Sequence, residues 1–117
     1  MAKKEMEFFD ADQVKTTRCA GTVEGLNEKI LSRDDKTGAA TRILIFEPGT
    51  DSTANGVQKH DFWEEVYILE GEFLDLTLNK KFTAGMYACR PPQMPHGPWK
   101  TEKGCKTFEV RYFVNSK

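Results

Sequence analysis

Two histidines and one glutamate carry most of the chemistry this chain can offer. The stretch GVQKHDFWEEVYILEGEF, residues 56–73, sets Gln58, His60 and Glu64 at even-numbered positions. Side chains two apart on a strand share a face, so all three project to one side if the backbone stays extended apart from a bend at DFW. Val66 and Ile68 continue that face with apolar side chains. A carboxylate on an inward apolar face needs a partner, either a buried Arg or Lys or a metal cation. The second histidine, His96, lies in RPPQMPHGPW, where four prolines stiffen the backbone and remove N–H donors. Such stiffness suits a ligand, whose position must hold within fractions of an ångström. Neutral imidazoles of His60 and His96 with the Glu64 carboxylate make a two-histidine, one-carboxylate set. That set suits Fe(II), Mn, Ni or Zn and leaves positions open for water, O2 or substrate. Gln58 is a weaker fourth oxygen donor. The competing reading, a packed or surface histidine in a strand, is not decided by spacing.

The elements that must position these residues read as strands broken by turn chemistry. EKILSR and AATRILIFEPG flank DDKTG, a hairpin connection with Gly38 available for positive φ. EEVYILEG and EFLDLTLN follow, divided near Gly71, then a turn at LNKKFTAG and the runs GMYACRPP, HGPWK and KTFEVRYFV. Helical periodicity is confined to one short turn in FFDADQVKT. Alternation puts Glu64, Val66 and Ile68 on one face and Glu65, Tyr67 and Leu69 on the other. It groups Leu74, Leu76 and Leu78 opposite Phe73, Asp75 and Thr77, and lines up Phe108, Val110, Tyr112 and Val114. So many apolar faces in one short chain must stack or close, which predicts an all-β sandwich or small barrel.

A chain of 117 residues supports one domain, here residues 1–117 with an N-terminal arm to about residue 27. Charged residues make up 30% but the formal net charge is −1, so nothing attracts polyanions and no nucleic-acid partner is expected. No apolar run reaches the roughly 18 residues of a membrane helix, and the N-terminus has no signal-like apolar region. Cys19, Cys89 and Cys105 are odd in number and form no C-x-x-C pair, which argues against a zinc ribbon or a disulfide framework. A reduced cytoplasmic protein is the expectation.

The arrangement resembles the cupin family from about Glu28 to Val114. Its first motif matches as Gln58-x-His60, DFW, Glu64, EVYILE, Gly71. The second matches as Gly85, MYACR, Pro91-Pro92-Gln93, MP, His96. EEVYILEGEF, AGMY, RPP, HGPW and GCKTFEVRYF are similar to the ChrR-type and acetylacetone-dioxygenase-like branch. In this sequence Gln58 replaces the first motif histidine, and Gln93 replaces the glycine of P-x-G. The resemblance implies a single-domain jelly-roll barrel (a double-stranded β-helix) holding one divalent metal ion per chain, Fe(II) favoured over Mn, Ni or Zn. It implies a small-molecule substrate and a dioxygenase that cleaves a C–C bond in a β-dicarbonyl or hydroxyketone-like compound. Glu64 or Gln58 would then serve as base or hydrogen-bond partner. A non-catalytic zinc-binding sensor, or a lyase or decarboxylase on the same site, is the alternative. The family also implies a homodimer, for which an apolar outer face of Tyr67, Leu69, Phe73 and Phe113 gives a physical reason.

Parity and proximity nominate Phe62, Met94, Trp99, Phe108 and Tyr112 as an apolar substrate wall. Trp63 and Trp99 either close the pocket mouth or simply pack. Arg42, Arg90 and Arg111 either clamp a carboxylate or form cross-strand ion pairs. Cys89 is placed toward the cavity or as apolar filler, and Cys105 in a loop. Glu65 faces away from the site, with a lysine or arginine as its expected partner.

Overall fold

The computed structural model describes residues 2–114. Among these residues eight strands form: β1 Thr17–Arg18, β2 Leu26–Arg33, β3 Ala40–Phe46, β4 Trp63–Asp75, β5 Lys80–Thr83, β6 Tyr87–Arg90, β7 Trp99–Lys100 and β8 Cys105–Tyr112. Every strand pairing is antiparallel, in the order β1-β2-β3-β8-β4-β5, and β6 and β7 also pair with β4. The sheet curls on itself, giving the expected all-β barrel-like domain. The N-terminal arm is shorter than expected, because β1 already pairs with β2. Its one turn, Ala11–Gln13, is capped by the Asp10 carboxylate, which accepts from the Asp12 N–H at 3.0 Å. No helix among the described residues is long and apolar enough to cross a membrane.

The β2–β3 hairpin turns where the sequence says it should. The Asp34 carboxylate accepts from the N–H groups of Lys36 and Thr37, and Gly38 takes φ +86°. β4 departs from expectation. It is one long strand running through Gly71, and the ladder with β8 shifts between Ile68 and Glu70. A bulge inserts one residue and so moves the inward face from even to odd positions. Before it, Glu64, Val66 and Ile68 are buried; after it, Phe73 and Asp75 are. Phe73 therefore leaves the expected outer face and joins the core, while Leu76 and Leu78 fall in the turn after β4 and are exposed. Gly71 takes φ +80°, and a methyl group there would overlap the Gly104 carbonyl oxygen.

Register divides the interior into two ends. At one end Val23, Leu26, Leu44, Phe46, Ile68, Phe73 and Cys105 form the apolar core, with Trp99 against it. Burying each large side chain there contributes about 1.5–3 kcal/mol. At the other end the facing rows are charged. One row runs Arg42, Glu109 and Val66 across β3, β8 and β4; the next runs Ala40, Arg111, Glu64 and Arg90 across β3, β8, β4 and β6.

Candidate metal centre

The candidate centre opens from that charged end. One donor atom each from His60, Glu64 and His96 lies within 4.8 Å of the others. Glu64 projects from the first turn of the β4 pleat, with arginines facing it from both neighbouring strands. His60 lies three residues before β4, and His96 lies in the proline-rich corner. Backbone hydrogen bonds tie these two segments together: Gln58 and His96 exchange N–H···O bonds of 2.7 and 3.0 Å, and the Gln93 N–H donates to the His60 carbonyl at 2.7 Å. Gln93 takes φ +70° to make this contact, a conformation the glycine of the family motif would adopt without strain.

The donor set fits a cation. His96 Nδ1 lies 3.1 Å from the Met94 carbonyl, which can only accept, so Nδ1 carries the proton and Nε2 keeps its lone pair. Nε2 is 3.8 Å from Glu64 Oε1. Donors on one divalent ion at about 2.1 Å are roughly 3.0–3.4 Å apart, so modest side-chain contraction would close the shell. Burial, with Arg90 next, lowers the His96 pKa to about 4. Burial and then Arg111 lower that of His60. Both rings are neutral near pH 7, as ligation requires. Burial first, then Glu109, pushes the Glu64 carboxyl above its usual range. A cation would relieve that desolvation.

The three residues line a cavity of about 410 Å³ together with Gln58, Val66, Phe73, Arg90, Trp99, Glu109 and Arg111. Arg42 crosses it, donating to Glu28 Oε1 at 2.7 Å and, through Nε and Nη2, to Glu109 Oε1 at 3.0 and 2.9 Å. Thr107, wholly buried, donates to the other Glu109 oxygen at 2.8 Å. Arg90 stacks over Trp99 at 5.4 Å and reaches Glu64 at 3.4 Å. The Trp99 Nε1–H is buried without a partner.

The other nominated residues divide. Gln58 lines the cavity, but its amide donates to the Asn55 carbonyl at 2.7 Å, leaving only its oxygen for a metal. An amide takes up no proton near neutrality, so Gln58 is no general base. Phe62 stacks on the His60 ring at 4.5 Å between centroids, and Trp99 forms part of the wall. Met94 lines a neighbouring apolar cavity of about 230 Å³ with Leu78, Phe82 and Met86, which shares Val66, Phe73, Arg90 and His96 with the first.

Phe108 and Tyr112 are corrections. They lie on the outer face of β8, where Phe108 is exposed and the Tyr112 hydroxyl donates to Glu65 at 2.6 Å. Glu65 has two tyrosine partners rather than a lysine, since Tyr87 also donates to it. Cys89 is exposed on that same side, and Cys105 is buried at the start of β8, not in a loop. Trp63 is half-buried and absent from the cavity lining. Local spacing does not single out Glu109, Glu28 and Thr107. The odd-numbered parity of β8 is the sequence signal that Thr107 and Glu109 carry.

Known proteins agree with this architecture. An RmlC-like cupin from Shewanella frigidimarina NCIMB 400 superposes with TM-score 0.73 at 22% identity, over 99% of this chain and 97% of that one. A proposed acetylacetone dioxygenase of Methylibium petroleiphilum PM1 gives TM-score 0.73 at 16% identity, over 98% and 85% of the two chains. Among curated proteins, the large ribosomal subunit protein uL10 of Caenorhabditis elegans is 29% identical over 90 residues, which span 74% of this chain but 29% of that protein's length. The sequence model of the ChrR cupin-like domain matches residues 6–114, and the chain belongs to that family.

Proposed function

We propose that the chain is a metal-dependent cupin holding one divalent ion on His60, Glu64 and His96, Fe(II) in preference to Mn, Ni or Zn, and acting on a small molecule in the adjoining cavity. The convergence of two neutral imidazoles and one buried carboxylate on a cavity of about 410 Å³ carries this reading. The ion would supply Lewis acidity and a point of attachment for O2 and for chelating oxygens. The chain's own residues do the rest. The Met94 carbonyl fixes the His96 tautomer, Phe62 orients the His60 ring, and Val66 and Phe73 keep one wall dry. Glu64, flanked by Arg90, is the only carboxylate of the donor set and hence its proton acceptor. We favour oxidative C–C cleavage of a β-dicarbonyl or hydroxyketone-like compound, supported by the likeness to the proposed acetylacetone dioxygenase. A zinc-binding sensor without chemistry is the second reading, favoured by the ChrR cupin-like family match. Pairing of two copies over the outer face around Tyr67, Leu69 and Phe113 belongs to the same proposal.

The test is elemental analysis of protein purified without a metal-binding tag, beside His60→Ala and Glu64→Ala variants, followed by O2 uptake with β-dicarbonyls. One Fe, Mn or Ni per chain, lost in both variants, and substrate-dependent O2 uptake are expected. Tight zinc without O2 uptake would favour the sensor or a lyase. No metal after anaerobic reconstitution would overturn the proposal.

A further inference from the structure

Arg111 is the cavity guanidinium that stability does not explain. It projects inward from β8, directly across from Glu64 in the β4–β8 register. Arg42 is fully committed to Glu28 and Glu109, and Arg90 is shared between Trp99 and Glu64. Among the described residues no carboxylate approaches within 4.0 Å of the Arg111 guanidinium. It lies instead over the face of Phe62, 4.8 Å from the ring centroid. Phe62 in turn stacks on His60, so the stack carries an unpaired cation to the edge of the donor set.

Charge balance points the same way. Setting aside the exposed Arg33, three arginines and three glutamates line the cavity, with Arg42, Arg90 and Arg111 set against Glu28, Glu64 and Glu109. A divalent ion on neutral histidines adds two further positive charges. A half-enclosed site with that excess is stabilised by an anion, and a guanidinium fork matches a planar carboxylate. Burial, with Arg42 next, lowers the Arg111 pKa, and the charges of Glu64, Glu109 and Glu28 offset this only in part. At about 410 Å³ the cavity falls in the range of small-molecule sites.

From this geometry we infer that Arg111 is a carboxylate clamp, and that the ligand of the centre is a small oxo acid, carrying a carboxylate in addition to a metal-chelating oxygen. This inference rests on the metal-site reading above. It narrows the substrate class from neutral β-dicarbonyls to their acid counterparts.

A pair of probes differing in that one group tests it. Acetoacetate and its neutral near-isostere acetylacetone are titrated by calorimetry into metal-loaded protein, with the metal content of the same samples measured. Acetoacetate is expected to bind at least about tenfold more tightly, since a charge-assisted bidentate pair is roughly twice as strong as a neutral hydrogen bond. Arg111→Gln should abolish that preference while leaving one metal per chain, and Arg111→Lys should keep part of it. Equal or tighter binding of acetylacetone by the unaltered protein overturns the inference, and so does a preference that survives Arg111→Gln. A chain that takes up no metal overturns both readings together. One that takes up metal but shows no preference overturns this one alone.

Discussion

Replacing Arg42 with Met should be among the most damaging single changes in the barrel, and its size follows from the partners left behind. The guanidinium bridges Glu28 and Glu109 at 2.7–3.0 Å, and the side chains of all three are at least four-fifths shielded from solvent. Burial by itself would lower the Arg42 pKa, but Glu109 and Glu28 outweigh it and raise the value, so the cation is fully present at any working pH. Removing it strands two like charges, which costs about 3–5 kcal/mol when one member of a buried ion network is deleted. At roughly 4 °C per kcal/mol for a domain of this size, the melting temperature should fall by about 12–20 °C at neutral pH. The loss lies on the stranded charges, not on missing contacts. Adding Glu28→Gln and Glu109→Gln to Arg42→Met should recover most of the loss. Differential scanning fluorimetry at neutral pH measures both quantities. A drop of only a few degrees, or a loss that the triple variant does not recover, would refute the view that a charge network centred on Arg42 holds this end of the barrel.

Gly71→Ala should cost about 2–4 kcal/mol, because it combines a φ of +80° with a methyl 2.9 Å from Cys105 Cα and overlapping the Gly104 carbonyl; chemical denaturation measures it. With thiol reagents near pH 8 the exposed Cys89 should react first and Cys105 only on unfolding, since burial pushes the Cys105 thiol up to about 12 and the Cys19 thiol to about 11. Those raised values also fix a sign: the unfolded chain releases these protons first, so stability should decline as pH rises from 9.0 toward about 12, as melts in alkaline buffers would reveal. Tyr112→Phe or Tyr87→Phe should leave the fold intact but let the Glu65 carboxyl titrate closer to its ordinary range, since the Tyr112 and then the Tyr87 hydroxyl hold it down; carboxyl NMR titration is the readout.

What could be read from the sequence was whatever obeyed local periodicity. The parity of Glu64, Val66 and Ile68 holds up to the bulge, and the Asp34–Gly38 turn forms as its residues demand. Two features were hidden, each for a physical reason. A bulge between Ile68 and Glu70 leaves no mark in the hydrophobic pattern, yet it exchanges the faces of everything after it, sending Phe73 inward. In β8 the apolar alternation Phe108, Val110 and Tyr112 marks a face, but the rule that apolar faces point inward fails. Thr107, Glu109 and Arg111 occupy the interior, where Arg42 on β3 meets Glu109 and Thr107 donates to its other oxygen. Arg42 lies 67 residues from Glu109, so no local window contains that compensation.

A barrel that places charge inside must account for every buried charge, and the account here is nearly complete. Glu28 and Glu109 are met by Arg42, Glu109 also by Thr107, and Asp75 by the N–H groups of Thr77 and Leu78. Each of these would be expensive to strand, and none is stranded. Among the described residues, three polar groups in the cavity lack a close partner in the protein: the Glu64 carboxyl with a 3.4 Å contact to Arg90, the Arg111 guanidinium over Phe62, and the buried Trp99 indole N–H. All three residues line the same cavity, and two histidines with free lone pairs join them there. Unpaired groups scattered through a core would indicate poor packing. Gathered in one cavity, with opposite charge preferences, they support the proposed pairing of a cation on the donors with an anion on the guanidinium. A metal ion bearing a small acid would meet both preferences at once, which a neutral ligand would not.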